Sequence, residues 1–383
     1  MADETTASLR RSPWFRAGIA LAIAPVNFGV WLLAVTQRPP SAALIYLFWA
    51  LAVLQVLLGL VAIVAGVRQR WKTRCGGIAA AFGGLVAVLG GLAGGLYGTL
   101  IAMFAAGGGW GRPLRVRGRQ LHPELREGSD WTEGARPDAS SLDADTALAL
   151  EALWLHDAQK EHASVPAFSR VSWLLAAAGA PAELLVGSHR AALEEIEHAR
   201  LCFALAAGYG GRSHTVEPMP ELLASELGVR GNVLVLLMRE SLADGCLLED
   251  FNADIAAECA VVCEEPATRA VLEQIAREER SHAELSWAIV QWTLQCPGDE
   301  VARAAVQAIE ELGRYQRPTA VGWRKQSLVN RADQAALRRH GRLPDARWAE
   351  VWQQRLRETR ARAHDVLART NVAAERPAAA VTT

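Results

Sequence analysis

The sequence predicts an all-α protein: three transmembrane helices, then an antiparallel four-helix bundle with additional C-terminal helices. Three observations carry this. Of the 383 residues, 51% are hydrophobic, and the excess is concentrated in the first 110. That excess falls into three stretches, each long enough (about 20 residues) to cross a hydrocarbon core of about 30 Å. Beyond residue 140 the apolar positions recur at helical spacing. Within two of those segments the run Glu194-Glu195-Ile196-Glu197-His198 returns as Glu278-Glu279-Arg280-Ser281-His282.

The first 110 residues read as a membrane anchor with spans at about 17–36, 42–67 and 78–106. The first is apolar apart from Asn27 and contains Pro25, which a spanning helix tolerates. Gln55 interrupts the second. The third carries no charge, and its Gly83-Gly84, Gly90-Gly91 and Gly94-Gly95 pairs suit close helix packing. The segments are too long and too numerous for a cleaved signal peptide. They imply a multi-pass membrane protein, with lipid as a partner. Arg10, Arg11, Arg16, Arg68, Arg70, Lys72 and Arg74 share one side, while Arg112, Arg115, Arg117 and Arg119 oppose them. The counts nearly cancel and lean towards an extracytoplasmic C-terminal domain. Residues 111–140, dense in Gly, Pro and Arg with no sustained period, read as a linker.

The bundle is assigned to residues 141–295. Asp143 and the serines before it offer N-caps for a helix reaching about residue 178, with Pro166 inside it. Gly179-Ala180-Pro181 ends that helix and opens a second, which runs to about residue 207. A loop over 208–220 is long enough to cross the end of a bundle. A third helix then runs to Glu264, and Pro266 opens the fourth. The short–long–short connections predict an antiparallel bundle with one long crossover. Residues 296–370 read as a helical extension, with amphipathic segments near 300–315, 334–339 and 346–367. The last two are basic, the final one carries Trp348 and Trp352, and packing on the bundle is the expected role, ahead of contact with anionic lipid or a partner. Residues 371–383 read as a disordered tail.

Chemistry is concentrated in the repeated run. Glu195 and His198, and Glu279 and His282, stand three apart, so each pair projects from one helix face. On the first helix Glu161 is the one ionisable group of the buried stripe through Trp154, Ala158, Val165 and Phe168. On the third, Glu240 and Glu249 are nine apart, about half a turn out of phase, so only one faces the core. The stripe through Glu249 (Met238, Leu242, Cys246, Ala253, Ala256) is apolar, whereas that through Glu240 (Asp244, Leu247, Phe251, Asp254, Glu258) looks solvated. Height agrees. Glu161 lies 18 residues before Gly179, and Glu249 lies 15 before Glu264. Glu240 would sit roughly 13 Å too far along. The predicted metal ligands are therefore Glu161, Glu195, His198, Glu249, Glu279 and His282.

Four carboxylates unpaired in a core would cost several kcal/mol each. Two divalent cations would neutralise them, and oxygen-rich ligation with one imidazole per ion suits iron, or manganese, better than structural zinc. Glu194, Glu197, Glu278 and Glu284, which flank the motifs, read as surface charges. Asp157 and Asn252 are the candidates to orient a ligating imidazole, and His156 and His162 lie near Glu161 but off its stripe.

With those residues in place, the chain resembles the ferritin-like di-iron carboxylate superfamily. There, two helices each give a Glu and two give Glu-x-x-His. The runs 161–168 (EHASVPAF) and 244–249 (DGCLLE) are similar to a bacterial branch of ferritin-like domain proteins. The resemblance covers about residues 141–295. It implies a ferritin-like bundle holding two iron ions and reacting with dioxygen or peroxide, as a ferroxidase or oxygenase-type oxidoreductase with an electron donor still to be identified. The alternative it leaves open is a non-enzymatic metal-binding or stress-linked scaffold. Phe168 stands where several di-iron oxidases carry Tyr, which argues against a tyrosyl radical. The six cysteines form no CxxC, which argues against a rubredoxin-type iron site. Cys259 and Cys263 read as packing residues. A net charge of −1 gives no footprint for nucleic acid. A homo-oligomer fits the fold class, although a membrane anchor disfavours a hollow storage cage.

Overall fold

In the computed structural model, the described residues are 112–116, 119–223, 231–320 and 323–374, with a few helical positions between 51 and 64. The chain divides into two compact units, Met1–Ala105 and Ala106–Thr383. All but those few helical positions belong to the second unit. The expectation of three transmembrane helices is corrected: among the described residues no helix is long and apolar enough to cross a membrane. The segments 17–36 and 78–106 lie outside the described residues, as does most of 42–67.

The second unit is helical, and "all-α" needs a further amendment. Short strands β1 (Arg115–Val116) and β2 (Arg119–Gln120) pair antiparallel, and β3 (Leu125–Glu127) pairs with β4 (His214–Val216). Helix α1 (Ala144–Ala177) starts where the Asp143 carboxylate accepts from the Thr146 N–H at 2.9 Å, and it continues through Pro166. Gly179, at φ 68°, turns the chain into α2 (Ala182–Gly210), which ends on Gly211 in the left-handed conformation. The crossover returns past β4 to Asn232, whose side chain accepts from the Leu234 N–H and caps α3 (Val233–Glu240). That helix passes without a break into a nine-residue π-helical stretch, Ser241–Glu249, and then into α4 (Asp250–Val262). Glu265 caps α5 (Pro266–Gln295), accepting from the N–H groups of Ala267 and Thr268.

The bundle is thus α1, α2, the composite third helix (α3, π stretch and α4) and α5. α1 lies along α2, and the third helix lies along α5. Its core is built from Leu150, Trp154, Phe203, Leu205, Cys246, Phe251 and Leu272 among others.

After it come α6 (Asp299–Glu311), α7 (Trp323–Arg331), α8 (Gln334–Arg339) and α9 (Asp345–Ala374). α7 falls outside the amphipathic segments expected of the extension. α9 packs on the bundle: Trp348 and Trp352 are buried edge-on against Phe251, at centroid distances of 5.7 and 5.1 Å. This overturns the solvated reading of the third helix's second face. Leu247 and Phe251 on that face are fully buried. Its acids are paired instead of hydrated: Asp244 with Arg115, Asp254 with Arg280 and Arg355, and Glu258 with Arg347. The face is polar because it meets arginines of residues 112–116, α5 and α9.

Residues 112–116, expected as linker, lie against the bundle. Leu114 is buried beside Ala163 and Ala167, and the Ser164 hydroxyl donates to the Arg112 carbonyl at 3.0 Å.

Candidate metal centre

All six predicted ligands converge in the bundle interior. Glu161 comes from α1, Glu195 and His198 from α2, Glu249 from the end of the π stretch, and Glu279 and His282 from α5. Each is almost wholly shielded from solvent. They form two overlapping groups, Glu161–Glu195–His198–Glu279 and Glu195–Glu249–Glu279–His282, within each of which one ligand atom per residue lies within 4.8 Å of the others. Glu195 and Glu279 belong to both groups. Nδ1 of His198 is 3.6 Å from Glu195 and 3.8 Å from Glu161; Nδ1 of His282 is 3.4 Å from Glu195 and 3.8 Å from Glu279.

The hydrogen-bond inventory sharpens this. Both carboxylate oxygens of Glu161, Glu195 and Glu279, one of Glu249, and Nδ1 of both histidines are buried without a hydrogen-bond partner. Interiors satisfy the large majority of their polar atoms, so orphans concentrated at one place call for an absent partner. A cation accepting lone pairs from carboxylate oxygens and imidazole nitrogens is the partner this donor set fits.

Each imidazole is held by its far nitrogen. His198 Nε2 lies 2.6 Å from Glu278, and His282 Nε2 lies 2.8 Å from Glu194. An Nε2–H donated to a carboxylate leaves the Nδ1 lone pair free to face a cation. The arrangement is reciprocal, because the glutamate preceding each ligand of α2 and α5 steadies the histidine of the other helix. The expectation that Glu194 and Glu278 are surface charges is therefore corrected. They are about three-quarters buried, with side-chain exposures of 26% and 27%. The doubled Glu-Glu-x-x-His wording held the signal that could have found them.

The residues expected to orient the imidazoles do other things. Asp157 is paired at 2.7 Å with Arg342, which stacks over Trp154. Asn252 contacts Glu249 at 3.4 Å. His156 packs on His122, and His162 on Trp131.

Electrostatics follow from crowding. Burial and the neighbouring Glu195 charge push the Glu161 carboxyl well above its ordinary range, and burial with Glu279 does the same to Glu249. Burial acts on Glu195 in the same sense, but the nearby His198 and His282 imidazoles outweigh it and hold its carboxyl below the usual range. Both imidazoles are raised, because contacts with the surrounding carboxylates overcome burial. Without metal the cluster therefore holds protons that a cation would displace. Burial also brings Lys160 down to about 7, opposed by Asp157 and Glu161. Cys259 and Cys263 are buried, with thiols raised to about 12 and 11, as packing residues should be.

Fold and site together define the class: a helical bundle with a buried carboxylate–imidazole cluster that could hold a pair of metal ions and is compatible with a ferritin-like di-iron centre. No protein-family model, curated protein or solved structure matches the chain.

Proposed function

We propose that this protein binds two divalent metal ions, iron foremost and manganese as the alternative, and uses them for oxygen- or peroxide-dependent redox chemistry, oxidation of ferrous iron included. The observation that supports it is the set of orphaned ligand atoms, divided between two groups that share Glu195 and Glu279. Bound there, two redox-active ions would supply two electrons at adjacent positions. The chain's own part is to hold the ions and keep water out. Glu195 and Glu279 would span both, Glu161 and Glu249 would each terminate one side, and His198 and His282 would each present Nδ1. Glu278 and Glu194 fix the tautomer and accept the Nε2 protons.

The test is metal analysis of the full-length chain after anaerobic ferrous loading, followed by admission of oxygen. About two irons per chain and a new di-ferric absorption band are expected, and Glu195→Ala, which removes a ligand common to both groups, should abolish both. A folded wild-type chain that takes up no metal would overturn the reading. A loaded chain inert to oxygen and peroxide would leave the metal site standing and assign the protein a binding or scaffold role.

A further inference from the structure

Arg112 is a buried guanidinium that the six-ligand set does not use. It enters between α1 and the third helix, is only 3% exposed, and its Nη2 has no hydrogen-bond partner. Among the described residues no carboxylate lies within ion-pair distance of it. Asp244 of the adjoining helix is engaged by Arg115, and the carboxylate of that helix that feels the Arg112 charge, without an ion pair, is the ligand Glu249.

Its surroundings hold it in place. The Arg112 carbonyl accepts from Ser164 of α1 at 3.0 Å, Nη1 reaches Ser286 of α5 at 3.4 Å, and the guanidinium stands 5.3 Å from the centre of the Phe168 ring. Gly245 makes the room. A Cβ there would fall 1.9 Å from the Ser286 hydroxyl and 3.2 Å from Arg112 Nη1.

These contacts place the cation beside one of the two ligand groups. Gly245 precedes Glu249 by four residues, and Ser286 follows His282 by four, donating to the His282 carbonyl at 3.0 Å. Phe168, under the guanidinium, packs edge-on against the His282 ring at 5.1 Å. The outer carboxylates Glu194 and Glu278 belong to α2 and α5 and are engaged by the histidines, so they do not neutralise it. An unpaired cation in a core is costly, and a charge-assisted donor is among the strongest attractions a buried anion can find.

We propose that Arg112, braced by Ser286, forms an anion-binding position beside the Glu195–Glu249–Glu279–His282 group, and that the centre takes a small ligand bearing a carboxylate or other oxyanion head. This rests on the di-metal reading. Arg112 is a binding residue here: its free Nη2–H would hold the ligand's negative oxygen while the metal of that group takes another of its atoms. Ser286, accepting from Nη1, keeps the guanidinium in place.

The experiment uses the full-length chain loaded with iron and oxidised, with azide as a coloured anionic probe and formate as its carboxylate competitor. Iron stoichiometry is read first, so failure of the di-metal reading shows as an unloaded wild type and removes the proposal with it. In the loaded wild type, azide should give a charge-transfer band that formate displaces. In Arg112→Gln, iron content should be unchanged and the azide dissociation constant at least about tenfold larger, while Arg112→Lys, which keeps the charge, should stay within about threefold. Nitric oxide, a neutral ligand for the ferrous form, should bind wild type and Arg112→Gln alike. Equal azide affinity in wild type and Arg112→Gln, or parallel loss of azide and nitric oxide binding, would overturn the proposal. Should Arg112→Gln fail to fold, the wild type still decides: no perturbation by azide or formate at a loaded ferric site refutes an anion position.

Discussion

At the scale of single residues, the reciprocal pairs Glu278–His198 and Glu194–His282 make the sharpest prediction. Removing a partner that orients an imidazole typically costs ten- to a hundredfold in metal affinity. Glu278→Gln should therefore weaken one of two titratable metal equivalents by about that factor and spare the other, as read by competition with a chelator. Glu194→Gln should do the same to the other equivalent, and equal weakening of both by either substitution would refute the pairing. These two glutamates also mark what single-residue reading could reach. Glu161, Glu195, His198, Glu249, Glu279 and His282 stand out in the sequence because each ionisable group sits on an otherwise apolar stripe. Glu194 and Glu278 do not, because their partners lie across the bundle and a charge flanking a stripe looks solvated from its own helix.

At the scale of elements, the third helix departs most from its sequence. Nothing in Ser241–Glu249 distinguishes a π stretch from an ordinary turn. Its wider winding undoes the half-turn arithmetic used to separate Glu240 from Glu249, even though Glu249 is the one that reaches the cluster while Glu240 pairs with Arg170. The Gly245–Ser286 approach is the tightest constraint on how that stretch meets α5. Gly245→Ala, whose new methyl would overlap the Ser286 Cβ at 2.2 Å, should destabilise the fold by about 1–3 kcal/mol, the usual range for overpacking. Chemical denaturation measures it, and adding Ser286→Gly should recover most of the loss; additive losses in the double variant would locate the strain elsewhere. The C-terminal helix is legible as an amphipathic cover, and the expected packing on the bundle is what it does. What its own sequence does not disclose is the partners: Arg347 and Arg355 meet Glu258 and Asp254 of the third helix, and Trp348 and Trp352 close over Phe251.

At the scale of the whole molecule, metal and protons compete for one cluster, which sets the pH dependence. Glu161 and Glu249 have carboxyls raised on folding, and His198 and His282 have raised imidazoles. Groups raised on folding stabilise the metal-free protein below their unfolded values, and that contribution is lost as pH climbs through the folded ones. Glu195 runs the other way and matters only as pH falls below the ordinary carboxylate range. The metal-free chain should thus lose stability as pH climbs from the ordinary carboxylate range through and beyond the ordinary imidazole range, and the rise in Tm on adding metal should grow over the same interval, with protons released on binding. At a metal concentration a hundredfold above Kd the gain is about 2.7 kcal/mol. Calorimetry with and without chelator at several pH values measures it, and a metal-induced shift that shrinks with rising pH would contradict the scheme. At this scale the sequence discloses the helix order and the six convergent side chains. The strap at 112–116 stays hidden, because a short Arg- and Pro-rich segment has no period to betray what it touches.

The crossed handshake between α2 and α5 has one more consequence. Exchange α1 with the third helix and α2 with α5, and every ligand and every steadying glutamate maps onto its counterpart: Glu161 onto Glu249, Glu195 onto Glu279, His198 onto His282, Glu194 onto Glu278. Neither hairpin holds a complete set for even one ion, yet one hairpin facing a copy of itself would supply everything. The ligand set is thus one pattern used twice within a single chain. Departures from that repetition, such as Arg112 beside Ser286 and Phe168, are where the two groups come to differ.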